Sequence, residues 1–406
     1  MATGPATAWT IRLRRAFMWV HRWLGLTAGA ILTLIGLTGS FNVFYREFDA
    51  ALNPALYAPT GPERRVTVAE AMQAASMADP APITALIAPD RTWPVWIAIH
   101  AYSNGKGHHP DFWTTMVDPS TGRVLGRRDY THSFAFTIYR LHSTLLLQEW
   151  WGKELVGVMG LGLLGSALSG LYLWWPPPGR IWRSISVRKG VSPQRLMIDL
   201  HNSAGSWMLL ALIVVAATGV GIVFPNAVRP IVSLFSVATP YPSPTVAAPP
   251  VKGAPTLSAD RIVELARAAK PGLDIALLNP PVEARNTWRV LFHPQGADPA
   301  LRSRGAIWLD RWTGALVHDR TPNVMSMGDR YVTEQLWLHN GATLGFAGRL
   351  LVFASGFAPL ALLVTGFAIW RNKRQPRGSL MAPPARKVLK SRMAFCQRPD
   401  LAKAKQ

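Results

Sequence analysis

Residues 20–39 read VHRWLGLTAGAILTLIGLTG: a histidine, His21, then an apolar run that closes on Thr-Gly. The pattern returns as LHSTLLLQEWWGKELVGVMG at 141–160, LHNSAGSWMLLALIVVAATG at 200–219 and LHNGATLGFAGRLLVFASG at 338–356. His21 to Gly39 and His201 to Gly219 are both 18 residues, whereas His142 to Gly170 is 28 and His339 to Gly366 is 27. The first and third stretches therefore form one class and the second and fourth another. Each apolar run is long enough to cross roughly 30 Å of hydrocarbon at about 1.5 Å per residue. An ionisable residue recurring at a membrane edge marks a functional site.

The chain has 406 residues, 49% of them hydrophobic, and a mean hydropathy of +0.14. That balance fits neither a soluble domain nor a bare bundle, so sizeable extramembrane segments are expected. The net charge of +21 is not spread evenly. Arg12, Arg14 and Arg15 precede the first run, and Arg180, Arg183, Arg188, Lys189 and Arg195 fill the loop between the second and third. A further cluster follows the fourth, from Arg371 to Arg392. With four spans, all three clusters fall on one side, as the positive-inside rule requires of the cytoplasm. This accounts for the charge without nucleic acid, and the tail is expected to lie against anionic membrane lipid. The single cysteine, Cys396, excludes disulfides within the chain, Cys-ligated iron–sulfur clusters and covalent haem attachment through CxxCH.

In order, the expected segments are a cytoplasmic N-terminus (1–16), span one (17–45), a periplasmic domain (46–138), an outer short helix plus span two (139–175) and a basic cytoplasmic loop (176–200). Span three (201–224), a Pro-rich linker with a second periplasmic domain (225–335), an outer short helix plus span four (336–370) and a basic cytoplasmic tail (371–406) follow. In the outer segments VTVAEAMQAASM and LSADRIVELARAAK have helical periodicity. WPVWIAIHAY and NTWRVLFH read as strands, and FWTTMVDPSTGRVLGRRDY and AIWLDRWTGALVHDR as strand–turn–strand. The fold expected is an α-helical membrane protein: a four-helix transmembrane bundle in two tandem repeats, each half carrying a small α+β domain, related by a pseudo-twofold axis along the membrane normal.

Orientation sorts the histidines. His21 and His201 belong to outward-running spans and His142 and His339 to inward-running ones, which places one pair toward each side. Two histidines on facing helices can supply both axial positions of a metalloporphyrin, so two b-type haems are expected, with His21, His201, His142 and His339 as axial iron ligands. Filled axial positions favour electron transfer over oxygen chemistry. A histidine opening a helix would feel the positive end of the dipole, which disfavours a protonated ring. The small-residue faces Gly25, Ala28, Gly29, Gly36, Gly39 and Ala204, Gly205, Gly219 offer a low wall for a flat macrocycle. Small-residue stripes also pack membrane helices without any cofactor. The run from His142 to Trp175 is too long for one span, so a short surface helix is expected to break near Gly152-Lys153, and its counterpart near Gly348-Arg349. His108-His109 lies in a loop that could meet a metal, His132 is a weaker alternative ligand, and His100, His293 and His318 have no assigned role. No nucleotide or flavin motif is present.

LHSTLLLQEWWGKELVGVMGLGLLGSALSGLYLWWP at 141–176 and LHNGATLGFAGRLLVFASGFAPLALLVTGFAIW at 338–370 resemble the helices of the PepSY-associated transmembrane family. VDPSTGRVLG and LDRWTGALV resemble the strand–turn–strand of PepSY domains, so the outer segments are read as PepSY-like. The resemblance spans about 14–370 and departs in the fourth span, which closes on Trp370 and Arg371. It implies an iron-regulated inner-membrane protein, with the four histidines at the family's haem-ligand positions. The implied activity is that of a di-haem ferric-siderophore reductase, passing electrons from an unknown cytoplasmic or membrane donor to a periplasmic Fe(III)–siderophore. Outer-membrane or periplasmic siderophore-uptake components are possible partners, and Trp93, Trp96, Trp113, Trp150 and Trp151 are candidates to shape the dock. The alternative is a non-enzymatic PepSY membrane module binding a peptide, protease or transporter. A chelate transporter is disfavoured because the histidines lie at the edges rather than the midplane.

Overall fold

The computed structural model describes residues 8–374 except 104–109, 248, 250, 252, 283–284 and 298–304. His108-His109, Cys396 and the basic tail beyond Arg374 lie outside the described residues. The chain opens with α1 (Ala8–Thr27), α2 (Gly29–Val43) and α3 (Tyr45–Leu52). The first outer segment is α4 (Val68–Ala78), β1 (Ile83–Ile87), β2 (Trp96–Tyr102), β3 (Asp111–Val117) and β4 (Val124–Asp129), followed by α5 (Phe134–Thr144) and α6 (Gly152–Trp174). After α7 (Ile181–Ile185) come α8 (Pro193–Val223) and α9 (Pro225–Ser233). The order then repeats as α10 (Ala259–Ala269), β5 (Leu273–Asn279), β6 (Thr287–Pro294), β7 (Gly305–Asp310), β8 (Leu316–Arg320), α11 (Met327–His339), α12 (Gly345–Ser355) and α13 (Ala358–Arg374).

Among the described residues, three helical stretches are long and apolar enough to cross a membrane: Gly152–Trp174, Pro193–Val223 and Ala342–Arg374. The first expected span differs. It is a pair, Trp9–Thr27 and Gly29–Val43, bent by 62°, that passes only when taken together. Two features fit the bend. Thr27 Oγ1 donates back to the Trp23 carbonyl at 2.7 Å, a bond that loosens a helix. Gly29 lies so close to α13 that a Cβ would meet Leu363 Cδ1 at 2.7 Å, and a Cβ on Gly36 would collide with the Gly356 carbonyl oxygen. The bend turns α1 onto α6 while α2 crosses to α12, α13 and α5.

The outer segments, expected as two small domains, contribute four strands each to one antiparallel sheet, in the order β4-β3-β2-β1-β5-β6-β7-β8. The seam is β1 with β5, where Leu86 faces Leu278 and Ile87 faces Leu277, and Asn279 Nδ2 donates to the Thr84 carbonyl at 2.9 Å. Both outer helices lie over this sheet and share one core. α4 buries Ala71 and Ala75, while α10 buries Ile262, Val263 and Ala266 against Leu86, Leu278 and Ile307. Each apolar set recurs at helical spacing. Burial of a residue such as Ile262, fully enclosed, is worth about 1.5–3 kcal/mol. Thr67 and Glu70 close a capping box at the start of α4, and Ser258 caps α10.

Each half has the same turn between its last two strands. Asp118 Oδ1 accepts from Ser120 N at 2.8 Å and Gly122 has φ +75°. Asp310 Oδ1 accepts from Trp312 N at 2.7 Å and Gly314 has φ +71°. An Asx acceptor at the first position and a glycine in the left-handed region specify this turn in both copies.

Candidate functional site

The structure brings the histidines together in pairs. His21 on α1 faces His201 on α8 with ring centroids 6.2 Å apart and planes at 89°. His142 on α5 faces His339 on α11 at 6.1 Å and 51°. The first pair lies toward the basic loop: α8 starts there, and Arg14 reaches the Leu173 carbonyl at the end of α6. The second lies toward the sheet. His339 binds α8 at Val215, 14 residues beyond His201, which sets the pairs about 21 Å apart along that helix.

None of the four histidines opens a helix, so the dipole argument from the sequence fails. His21 and His201 lie inside α1 and α8, and His142 and His339 occupy the last turns of α5 and α11. The ring state is set by a hydrogen bond instead. His21 Nδ1 donates to the Ser166 carbonyl at 3.0 Å and to Ser169 Oγ at 3.2 Å, both on α6. His142 Nδ1 donates to the Ile35 carbonyl of α2 at 2.9 Å. His201 Nδ1 donates to Thr365 Oγ1 of α13 at 2.9 Å and is within reach of the Leu362 carbonyl. His339 Nδ1 donates to the Val215 carbonyl at 2.9 Å and meets Thr218 Oγ1 at 3.2 Å.

One local rule accounts for all four. Each carbonyl stands four residues before a glycine: Ile35 before Gly39, Ser166 before Gly170, Val215 before Gly219, Leu362 before Gly366. With no Cβ on that glycine the ring can lie against the helix. A Cβ would meet the histidine Cε1 at 2.9 Å from Gly39, 3.0 Å from Gly170 and Gly219, and 3.4 Å from Gly366. The hydroxyl residue just before each glycine donates into its own helix, as Ser169 does to Ser166 and Thr365 to Ala361. The oxygen lone pairs of Ser169, Thr218 and Thr365 are thereby left to accept from a histidine N–H. The Thr-Gly and Ser-Gly pairs that mark the sequence pattern are therefore receptors for histidines of neighbouring helices.

This corrects the reading of the small-residue faces. Gly29 and Gly36 serve helix–helix contact, and Gly39 and Gly219 seat histidines. Gly25 and Gly205, four residues after His21 and His201, remain open: a Cβ at Gly25 would meet nothing within 4 Å, and one at Gly205 only Leu362 at 3.6 Å. The short helices end earlier than expected: α5 stops at Thr144, ahead of α6 at Gly152, and α11 stops at His339, ahead of α12 at Gly345.

With Nδ1 donating, Nε2 is the nitrogen with a lone pair to give. Metal–nitrogen bonds of roughly 2 Å to each side, plus the depth of each ring behind its nitrogen, span the 6.2 and 6.1 Å between centroids. The two imidazoles of each pair are a donor set that would fit a haem iron.

The other candidates separate by environment. Trp93 and Trp96 are buried core residues and cannot shape a dock. Trp113 lies under the Arg127 guanidinium at 4.0 Å. Trp150 and Trp151 are 76% and 78% exposed beside α5. His100 is fully buried with Nδ1 on the Ala81 carbonyl at 2.8 Å, and His132 pairs with Asp129 at 2.7 Å. His318 stands edge-on to Trp308 at 5.4 Å.

The family model described as PepSY-associated TM region matches residues 18–373. No curated protein matches the chain.

Proposed function

The chain belongs to the PepSY-associated transmembrane family, and on that premise we propose that it is a membrane oxidoreductase in which His21 with His201, and His142 with His339, each hold one haem b iron from both sides. The observation that carries this reading is the pair geometry: centroids at 6.2 and 6.1 Å, with every Nδ1 bound to a neighbouring helix. A haem held there would supply one-electron transfer.

The protein's part is positioning. Donation from Nδ1 fixes the tautomer and raises the basicity of Nε2. The glycines hold each ring in one orientation, and the apolar helix walls exclude water. The topology proposed is four spans in two tandem repeats in a bacterial inner membrane, with the basic loop and both termini in the cytoplasm and the sheet in the periplasm. An electron donor is then met at the basic end and an Fe(III)–siderophore at the sheet end, one electron per iron. Hard oxygen donors hold Fe(II) less well than Fe(III), so reduction releases the metal.

The test is a reduced-minus-oxidised optical spectrum of purified protein from haem-supplied cells, with haem quantified per chain. Two low-spin b-type haems are expected, His21→Ala and His339→Ala each removing one. A colourless preparation overturns the reading and favours a binding module without redox chemistry.

A further inference from the structure

α5 ties His142 to the sheet end of the molecule, and a cavity of about 520 Å³ opens at its first turn. α3 contributes Asp49 and Leu52, the end of β4 contributes Arg128 and Asp129, and Ser133, which caps α5, and Phe134, its first residue, complete the wall. The volume falls within the range of roughly 300–1,000 Å³ that small-molecule sites occupy. From Phe134 to His142 is eight residues of one helix, about 12 Å. Phe134 stands edge-on to Phe41 at 5.3 Å, and Phe41 is two residues from Gly39, which seats the His142 ring. An aromatic and helical path thus joins the cavity wall to the sheet-end histidine pair.

The one cation lining the cavity among the described residues is paired. Arg128 donates to Asp49 Oδ1 at 2.9 Å and Oδ2 at 2.5 Å, and Asp129 is engaged by His132. No unpaired cation therefore lines the cavity among the described residues. Leu52 and Phe134, 60% and 59% exposed, give it an apolar rim. The second half treats the matching strand position differently. Arg320 there is closed over by Thr239 and Asp329, with its side chain 6% exposed.

We propose that this cavity is the docking site of the electron acceptor, and that its two carboxylates, Asp49 and Asp129, set against the single paired cation Arg128, select electroneutral or cationic ferric chelates over trianionic ones. The proposal rests on the redox reading above. Three hydroxamates neutralise Fe(III), whereas three catecholates leave a charge of 3−, for which the cavity has no counter-ion. An apolar rim suits a compact chelate seated against Phe134.

The experiment measures binding of redox-inert Ga(III) chelates to the full-length protein in nanodiscs by calorimetry, so that it does not depend on electron transfer. Ga(III)–desferrioxamine B should bind wild type, and a Ga(III) tris-catecholate should not. Leu52→Trp, which narrows the rim at an exposed position, should weaken the hydroxamate complex at least tenfold. Asp129→Lys should weaken it as well and admit the tris-catecholate. The haem spectrum of each variant reports that the bundle is intact. Absence of binding to wild type, or affinities unchanged in both variants whose spectra are intact, overturns the site. Loss of haem from wild type overturns instead the redox reading on which it rests.

Discussion

At the residue scale, the repeated unit is a histidine on one helix and a carbonyl, a hydroxyl and a glycine on another. Gly170 shows the constraint: a Cβ there would stand 3.0 Å from His21 Cε1. On the di-haem reading proposed above, Gly170→Val should displace that ring and remove one haem, leaving the His142/His339 pair loaded, as haem quantification and the optical spectrum would register. Ser169→Ala is gentler because the Ser166 carbonyl still accepts from Nδ1. It should leave haem content unchanged and raise the midpoint potential of one haem, since a less basic imidazole stabilises Fe(III) less. An unchanged potential in a redox titration would assign Ser169 to packing alone.

Among the elements, the turns and the sheet seam decide how the outer region holds together. Burial pushes the Asp118 carboxyl up, but hydrogen bonds from the side chains and backbone of Thr60 and Ser120 outweigh it and hold it below the usual carboxylate range. A carboxyl depressed in the folded state contributes its stability in full above the unfolded value near ~3.9, and loses it as pH falls through the folded value. Asp118→Asn should therefore cost about 1–3 kcal/mol at neutral pH, with the difference from wild type shrinking below about pH 4. Denaturation at several pH values tests this. At the seam, Leu278 is fully buried against both halves of the core. Leu278→Ala should cost about 2–5 kcal/mol, and hydrogen exchange should show β1–β4 and β5–β8 losing protection together. Loss confined to β5–β8 would mean that the halves are stable separately.

For the whole molecule, the two repeats differ in how they meet the bundle. The first half is tied to its leading helices by Arg128–Asp49 and by the Arg46–Asp90 ion pair, with Arg46 4.4 Å over Trp93. Arg349 of α12 binds Glu47 at 2.7 Å and the Val43 carbonyl at 2.8 Å, locking the fourth candidate span to the first. The orientation proposed above predicts a labelling pattern. In a Cys396→Ser background, Met77→Cys, at a position 82% exposed, should react with a membrane-impermeant maleimide applied from outside intact spheroplasts. Lys189→Cys in the basic loop should react only after lysis. The reverse pattern would invert the topology.

The histidines, their sorting into two classes, the four apolar runs and the repeated Asp-to-Gly turn are local or periodic features, so the sequence by itself determined them. Spacing of 18 residues between His21 and Gly39 is legible on the page, but which helix a glycine faces is not, because small residues serve helix packing and ring packing equally. That Gly39 seats His142, that Gly170 seats His21, and that the bend at Ala28 sends α1 and α2 to different neighbours were decided by packing across more than a hundred residues of chain. β1 and β5 were the strands missing from the sequence reading. ITALI and LDIALLN are short and lack clean alternation. They are strands because each is paired on both sides, and their pairing with each other is what makes two outer segments one sheet. Only the tertiary structure could decide that, since an edge strand's partner is chosen by the other half of the molecule.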